Sequence, residues 1–235
     1  EQAGVLRDMF QNHMLQMLSL VARESPASFE ADRVRDEKVK LLRSIRRMPL
    51  DAMDDWLVRG QYAEGELDGR RVAGYRQEKG VAPNSQVETF AALSLEIDSW
   101  RWRGVPFYIR AGKCLPVTCT EVLLRLRRPP TVYPTCTAPP NHFRFRVSPD
   151  VTIALGTTVM DAAERATGAQ VELLASHHPD GKEPDAYERV LGDAMEGDAT
   201  LFAREDYVEE AWRIVDPALA AGAPLHEYDP GQWGP

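Results

Sequence analysis

The residue types able to do acid–base work gather near the start of the chain. Asp8, Asn12, Gln16 and Ser19 recur at i, i+4, i+8 and i+11 in a segment otherwise rich in apolar residues. On an α-helix this spacing draws one polar stripe, with His13 at its edge. Polar groups on a buried helix need partners. Either the stripe meets solvent and neighbouring backbone, or it floors a cleft in which a neutral imidazole accepts a proton, because histidine titrates at about 6.5 in the absence of perturbation.

A second candidate is Arg110-Ala111-Gly112-Lys113, where a glycine and a lysine close an apolar run. The string suits an anionic group held over a strand end, and it equally suits an ordinary turn. Arg125, Arg127 and Arg128, and the pair Arg144 and Arg146, form cationic strand faces that either meet solvent or are matched by acids across a sheet. His177-His178 before Pro-Asp-Gly reads as an exposed turn. No GxGxxG, GxxxxGK[ST], GxSxG or HExxH string occurs. The three cysteines, Cys114, Cys119 and Cys136, cannot all pair and contain no CxxC. That excludes a disulfide framework and a zinc knuckle, calls for no metal, and points to a reducing cytoplasm.

The elements that must position these residues follow from periodicity. Apolar residues at 6, 9, 10, 14, 17, 18, 20 and 21 predict a mostly buried helix over 5–23, stopped by Ser25-Pro26. A second helix is predicted from 31 or 32 to 46, ending before Pro49. Strands are predicted at 57–62, 90–97, 105–110, 121–127, 141–147, 151–155 and 170–174, and terminal helices at 185–196 and 206–214. Pro129, Pro130, Pro134, Pro139 and Pro140 mark an irregular loop between strands. Helices, then strands, then helices predict an α+β fold with a largely antiparallel sheet. No repeat or long linker divides residues 1–235, which read as one domain.

Composition bounds the rest. The chain has 235 residues, 43% hydrophobic and 27% charged, with five Trp and seven each of Tyr and Phe. A real core is therefore expected and disorder excluded. A net charge of −8 argues against nucleic acid and anionic membranes as partners. The longest apolar stretch, 14–22, is far shorter than the roughly 20 residues of a membrane span. The opening Glu1-Gln2-Ala3-Gly4 has no initiator Met and reads as part of something longer.

Several strings together resemble a known family. Arg7-Asp8-Met9-Phe10-Gln11-Asn12-His13, Arg35-Asp36-Glu37-Lys38-Val39-Lys40, Arg59-Gly60-Gln61-Tyr62, Glu88-Thr89-Phe90-Ala91-Ala92, the run from Gly104 to Lys113, Asp185-Ala186-Tyr187-Glu188-Arg189 and Trp233-Gly234-Pro235 occur in order. They are similar to the C-terminal domain of glucose-6-phosphate dehydrogenase, over residues 4–235. The resemblance implies one substrate-binding and dimerisation domain over 1–235. Its fold would be α+β, with a large mixed, mostly antiparallel sheet, helices on one face, and the dimer interface on the sheet. His13 matches the family's general base, which takes the proton from the C1 hydroxyl of glucose 6-phosphate. Asp8 matches the aspartate that touches the sugar hydroxyls, and Lys113 the lysine that helps hold the substrate.

The resemblance further implies oxidation of glucose 6-phosphate to 6-phosphogluconolactone in the cytoplasmic pentose phosphate pathway. NADP would be bound mainly by an N-terminal Rossmann half, which no segment here matches. This chain is then expected to be inactive alone and to form a homodimer or a dimer of dimers. An alternative of a different class is a non-catalytic dimerisation or regulatory scaffold derived from the same domain. The trio Asp8, His13 and Lys113 favours the enzyme, because a scaffold has no need of it.

Overall fold

The computed structural model describes residues 3–130, 139–160, 168–176 and 185–235. Pro134, Cys136 and His177-His178 lie outside the described residues. The chain divides into two compact units, Glu1–Pro116 with Asp185–Pro235, and Val117–Pro184.

In the first unit, helix α1 begins as a π-helical segment, Leu6–Met14, and continues as an α-helical segment, Leu15–Ala22. With its N-cap Val5 it buries Leu6, Phe10, Leu15, Leu18 and Ala22, and each large apolar side chain removed from water contributes about 1.5–3 kcal/mol. Trp102 Nε1 donates to the Ala22 carbonyl at 2.8 Å and so closes the helix end. Helix α2, Ala31–Ser44, buries Val34, Val39, Leu41 and Leu42. Its last carbonyls are met by Arg213, which donates to Leu42 O at 2.7 Å. Helix α4 runs Glu205–Ala220. It passes the expected stop at residue 214 and carries Pro217 in its last turn, because Ile214, Val215 and Ala218 remain buried in the same core. Helix α3, Ala186–Glu196, starts on Asp185, whose side chain accepts from Tyr187 N–H, and ends at the left-handed Gly197.

Helices α1, α2 and α4 cover one face of a four-stranded sheet ordered β10-β1-β4-β5, from Leu225–Tyr228, Leu57–Tyr62, Phe90–Glu96 and Pro106–Gly112. β1–β4 and β4–β5 are antiparallel, and β1–β10 is parallel. Alternation in β4 sends Ala91, Leu93 and Leu95 into the core. Over one end of the opposite face lies an aromatic cluster of Tyr62, Tyr75, Phe90 and Tyr228, with ring centroids 5.6–6.4 Å apart. A hairpin of β2 (Gly65–Leu67) and β3 (Arg70–Val72) turns on Asp68-Gly69. Both turn residues have positive φ, 52° and 74°, as the tight hairpin turn requires.

The second unit is an antiparallel meander, β6-β7-β8-β9, over Thr120–Arg125, His142–Ser148, Thr152–Met160 and Gly168–Ser176. Its two faces differ. One carries Glu121, His142, Arg144, Arg146 and Glu172 in register, together with Leu123 and Leu174. Arg144 pairs with Glu172, Arg146 with Glu121 at 3.1 Å, and His142 Nε2 lies 3.0 Å from Glu172, so the pair Arg144 and Arg146 is matched by acids across the sheet, whereas Arg125, Arg127 and Arg128 are exposed. The other face carries Val122, Leu124, Phe143, Phe145, Ile153, Leu155, Val171 and Leu173, with Ile153 50% and Leu173 62% exposed. The α+β class and the mostly antiparallel pairing are as expected. The strands are shared between two four-stranded sheets and the hairpin, because after β5 the chain turns through Cys114 at φ 52° and ties its carbonyl to Gly231 N–H at 2.8 Å. Among the described residues no helix is long and apolar enough to cross a membrane.

Burial pushes the hydroxyls of Tyr207 and Tyr228 up to about 12. Burial, reinforced by the Glu78 carboxylate, pushes Tyr62 higher still. An unfolded tyrosine titrates near 10, so the folded state holds these protons more tightly. The stability they contribute is complete below about pH 10 and is lost as pH rises towards the folded values. Phenolate absorbance and circular dichroism, followed together in alkali, should show these tyrosines ionising only as the fold is lost. Ionisation of every tyrosine near pH 10 with the fold intact would contradict the burial assigned here.

Candidate functional site

The site is built on the first turn of α1. Gly4 has φ +73°, and a Cβ there would stand 2.6 Å from Glu88 Oε1, so glycine is required both for the turn and for the close approach. Glu88 then meets the helix start twice. Its carbonyl accepts from Val5 N–H at 3.2 Å and its carboxylate from Leu6 N–H at 3.0 Å. These N–H groups have no partner within the helix, and the negative charge is favourable at the positive end of the helix dipole. Glu88 is 5% exposed. Its charge is matched by Arg59 Nη2 at 3.2 Å, and Arg59 is itself fixed by donating to Gln86 O at 2.7 Å and Ala223 O at 2.9 Å.

The next residue, Thr89, serves the other half of the site. Its carbonyl accepts from Lys113 N–H at 2.9 Å. Its hydroxyl accepts from Tyr62 N–H at 3.2 Å and lies 3.2 Å from the Tyr228 hydroxyl, which donates to Lys113 O at 2.8 Å. Both main-chain polar atoms of Lys113 are therefore held, while its side chain is exposed and without a partner among the described residues. Gly112 lets this corner approach Phe90, since a Cβ there would be 2.7 Å from Phe90 Cδ2. β5 packs against the π-helical segment.

The π-helix changes which residues share a face. Leu15 N–H donates to Phe10 O, five residues back, so a turn is wider than the 3.6 residues of an α-helix. Residues five apart then become near neighbours along the axis, and His13 comes onto the line of Asp8 rather than standing at the edge of the stripe. Asp8, Asn12 and His13 are all exposed, with no side-chain partner among the described residues. Gln16 is half-buried and accepts from Lys38 Nζ at 3.2 Å. Burial, with Arg23 and Arg35 nearby, lowers the pKa of that lysine. Ser19 leaves the stripe altogether, being fully buried with its hydroxyl on Gln16 O at 2.8 Å.

Asp8, His13 and Lys113 thus hang from one framework: the helix carrying the first two and the backbone of the third are fixed to consecutive residues, Glu88 and Thr89. The arrangement offers an imidazole free to take a proton, a carboxylate and an amide able to bond hydroxyl groups, and an ammonium on rigid backbone able to meet an anion. Residue spacing alone did not single out Arg59, Glu88, Thr89 or Tyr228. The one local signal was polar Glu88-Thr89 opening an apolar strand.

The whole chain, residues 1–235, matches the family model described as glucose-6-phosphate dehydrogenase, C-terminal domain. It is 43% identical over 238 residues to glucose-6-phosphate 1-dehydrogenase of Aggregatibacter actinomycetemcomitans, covering 99% of this chain and 48% of that protein. The enzyme of Bacillus subtilis strain 168 is 38% identical, covering 100% and 50%. Among solved structures, glucose-6-phosphate 1-dehydrogenase from Mycobacterium avium superposes with a TM-score of 0.82 at 38% identity, over 99% of this chain and 47% of that one. A glucose-6-phosphate dehydrogenase in complex with its substrate glucose-6-phosphate gives the same TM-score at 30% identity, over 99% and 48%. The chain spans about half the length of the curated relatives it matches. It belongs to the glucose-6-phosphate dehydrogenase C-terminal domain family.

Proposed function

We propose that this chain supplies the proton acceptor and part of the substrate grip for the oxidation of glucose 6-phosphate at C1. The observation that carries this reading is the exposed, unpartnered pair Asp8 and His13, aligned by the π register of α1. His13 takes the proton of the C1 hydroxyl as the C1–H bond breaks, the C1–O bond becomes a carbonyl, and the product is 6-phosphogluconolactone. Asp8 accepts hydrogen bonds from sugar hydroxyls and orients C1 towards the imidazole. Lys113 holds an anionic part of the substrate by charge, with little reorganisation because its backbone is already fixed.

When bound, NADP supplies the hydride acceptor. Among the described residues the only parallel strand pairing, β1 with β10, is not joined by a glycine-rich turn and helix, so the described residues do not fit a dinucleotide cradle. The cofactor belongs under this reading to a nucleotide-binding half outside these 235 residues, and the chain alone binds without turning over. The setting is the pentose phosphate pathway of a reducing cytoplasm. A scaffold role gains no support from a trio of open, unpaired polar side chains.

In an enzyme that joins this segment to its nucleotide-binding half, His13→Asn should lower turnover by roughly 10²–10⁴-fold with the Michaelis constant changed only a few-fold. Asp8→Asn should mainly raise the Michaelis constant. Turnover within a few-fold of the parent in the His13 variant would overturn the base assignment.

The apolar face of the β6–β9 sheet is proposed as the surface on which two copies of the chain associate, giving the homodimer from which a dimer of dimers can be built. Phe143, Ile153 and Leu173 are exposed on it, while the arginines of β7 on the opposite face are paired with acids. Sedimentation at micromolar concentration should show a dimer that Leu173→Lys converts to monomer. A monomer in the parent would contradict this.

A further inference from the structure

We propose that Glu88 is a positioning residue for the candidate site, and this rests on the substrate reading above. Nothing local accounts for a carboxylate buried at the start of α1. Glu88 lies 82 positions from Leu6 yet accepts its N–H, and its own carbonyl takes the adjacent Val5 N–H. One residue thereby fixes two successive donors of the helix start, which defines both the axial position and the rotation of the first turn. Asp8 follows within that turn and His13 within the next, so their direction is set by where Glu88 stands. Because Thr89 holds Lys113 N–H, residues 88–89 tie both halves of the site to one stretch of backbone, and releasing the helix start from Glu88 frees one half to move relative to the other. Arg59 makes the placement rigid. It ties Glu88 to strand β1 and, through Ala223 O, to the segment that leads into β10.

A merely structural carboxylate and a positioning one make different demands on the helix. A structural one needs only to satisfy the amides, and its loss lowers stability without changing what the folded molecule binds. A positioning one fixes the spacing between groups that must act together, and its loss weakens binding in molecules that remain folded. Glu88→Gln separates the two. It keeps an oxygen acceptor and the side-chain volume while removing the charge that Arg59 holds.

The test uses the 235-residue chain itself, with glucose 6-phosphate as the probe and titration calorimetry as the readout, beside the thermal midpoint. A core variant remote from the site, Ile214→Val, serves as the stability control. Glu88→Gln should raise the dissociation constant at least ten-fold, while Ile214→Val should leave it unchanged even where both lower the midpoint. Unchanged affinity in Glu88→Gln, or equal weakening in the control, would overturn the proposal. If the parent chain binds no glucose 6-phosphate, the substrate reading fails, and the positioning role is then decided by the amide resonances of Asp8, His13 and Lys113. All three should shift in Glu88→Gln and not in Ile214→Val, and resonances that stay in place overturn the positioning role as well.

Discussion

A buried carboxylate, Glu88, is the interaction on which the candidate site of this molecule depends. Taking a charge out of water is costly unless it is paired and hydrogen-bonded. Here the cost is offset by Arg59, by the Leu6 amide and by the positive end of the helix dipole. Breaking one partner of such a pair strands the other, typically at about 3–5 kcal/mol. The consequence reaches beyond stability. The same two-residue stretch, Glu88-Thr89, enters β4 and fixes Lys113, so sheet and helix are locked in register at the point where the open polar side chains lie.

The second constraint is the π-helical opening of α1. Its wider turn places Asp8 and His13 on one line, while Leu6, Phe10 and Leu15 still reach the core. An α-helical backbone would satisfy one requirement or the other, because residues five apart lie on different faces of an α-helix. The packed side chains hold the less common geometry in place, and the candidate site and the core lie on different sides of one segment.

How much of this was legible in the sequence varies with the range of the interaction. Helix α2 and the strands of both sheets except β10 follow from periodicity, since their apolar residues face one side at the expected interval; the four residues of β10 are too short a run to show one. The β2–β3 hairpin carried a plain signal in Asp68-Gly69. The π segment left a subtler one: buried residues at 5, 10 and 15 are spaced by five, which an α-helical reading smooths over. The stripe was right for Asp8 and Asn12 and failed at Ser19, where the change from π to α geometry turns the side chain inward. Family resemblance, rather than spacing, raised His13 and Lys113 above an ordinary helix edge and an ordinary turn. The Glu88 cap and the Tyr228 bond to Lys113 join positions 82 and 115 residues apart. No local pattern encodes such pairings, because they exist only once the sheet has formed.

The claim that Glu88-Thr89 holds helix and lysine as one unit can be measured by native-state hydrogen exchange of three amides: Leu6, Tyr62 and Lys113. Amides at a helix start ordinarily exchange early, because their partners fray. Here Leu6 should be protected to the same opening free energy as Tyr62 and Lys113, and the three should lose protection together as denaturant is added. A Leu6 amide that exchanges orders of magnitude faster than Lys113 would contradict the account.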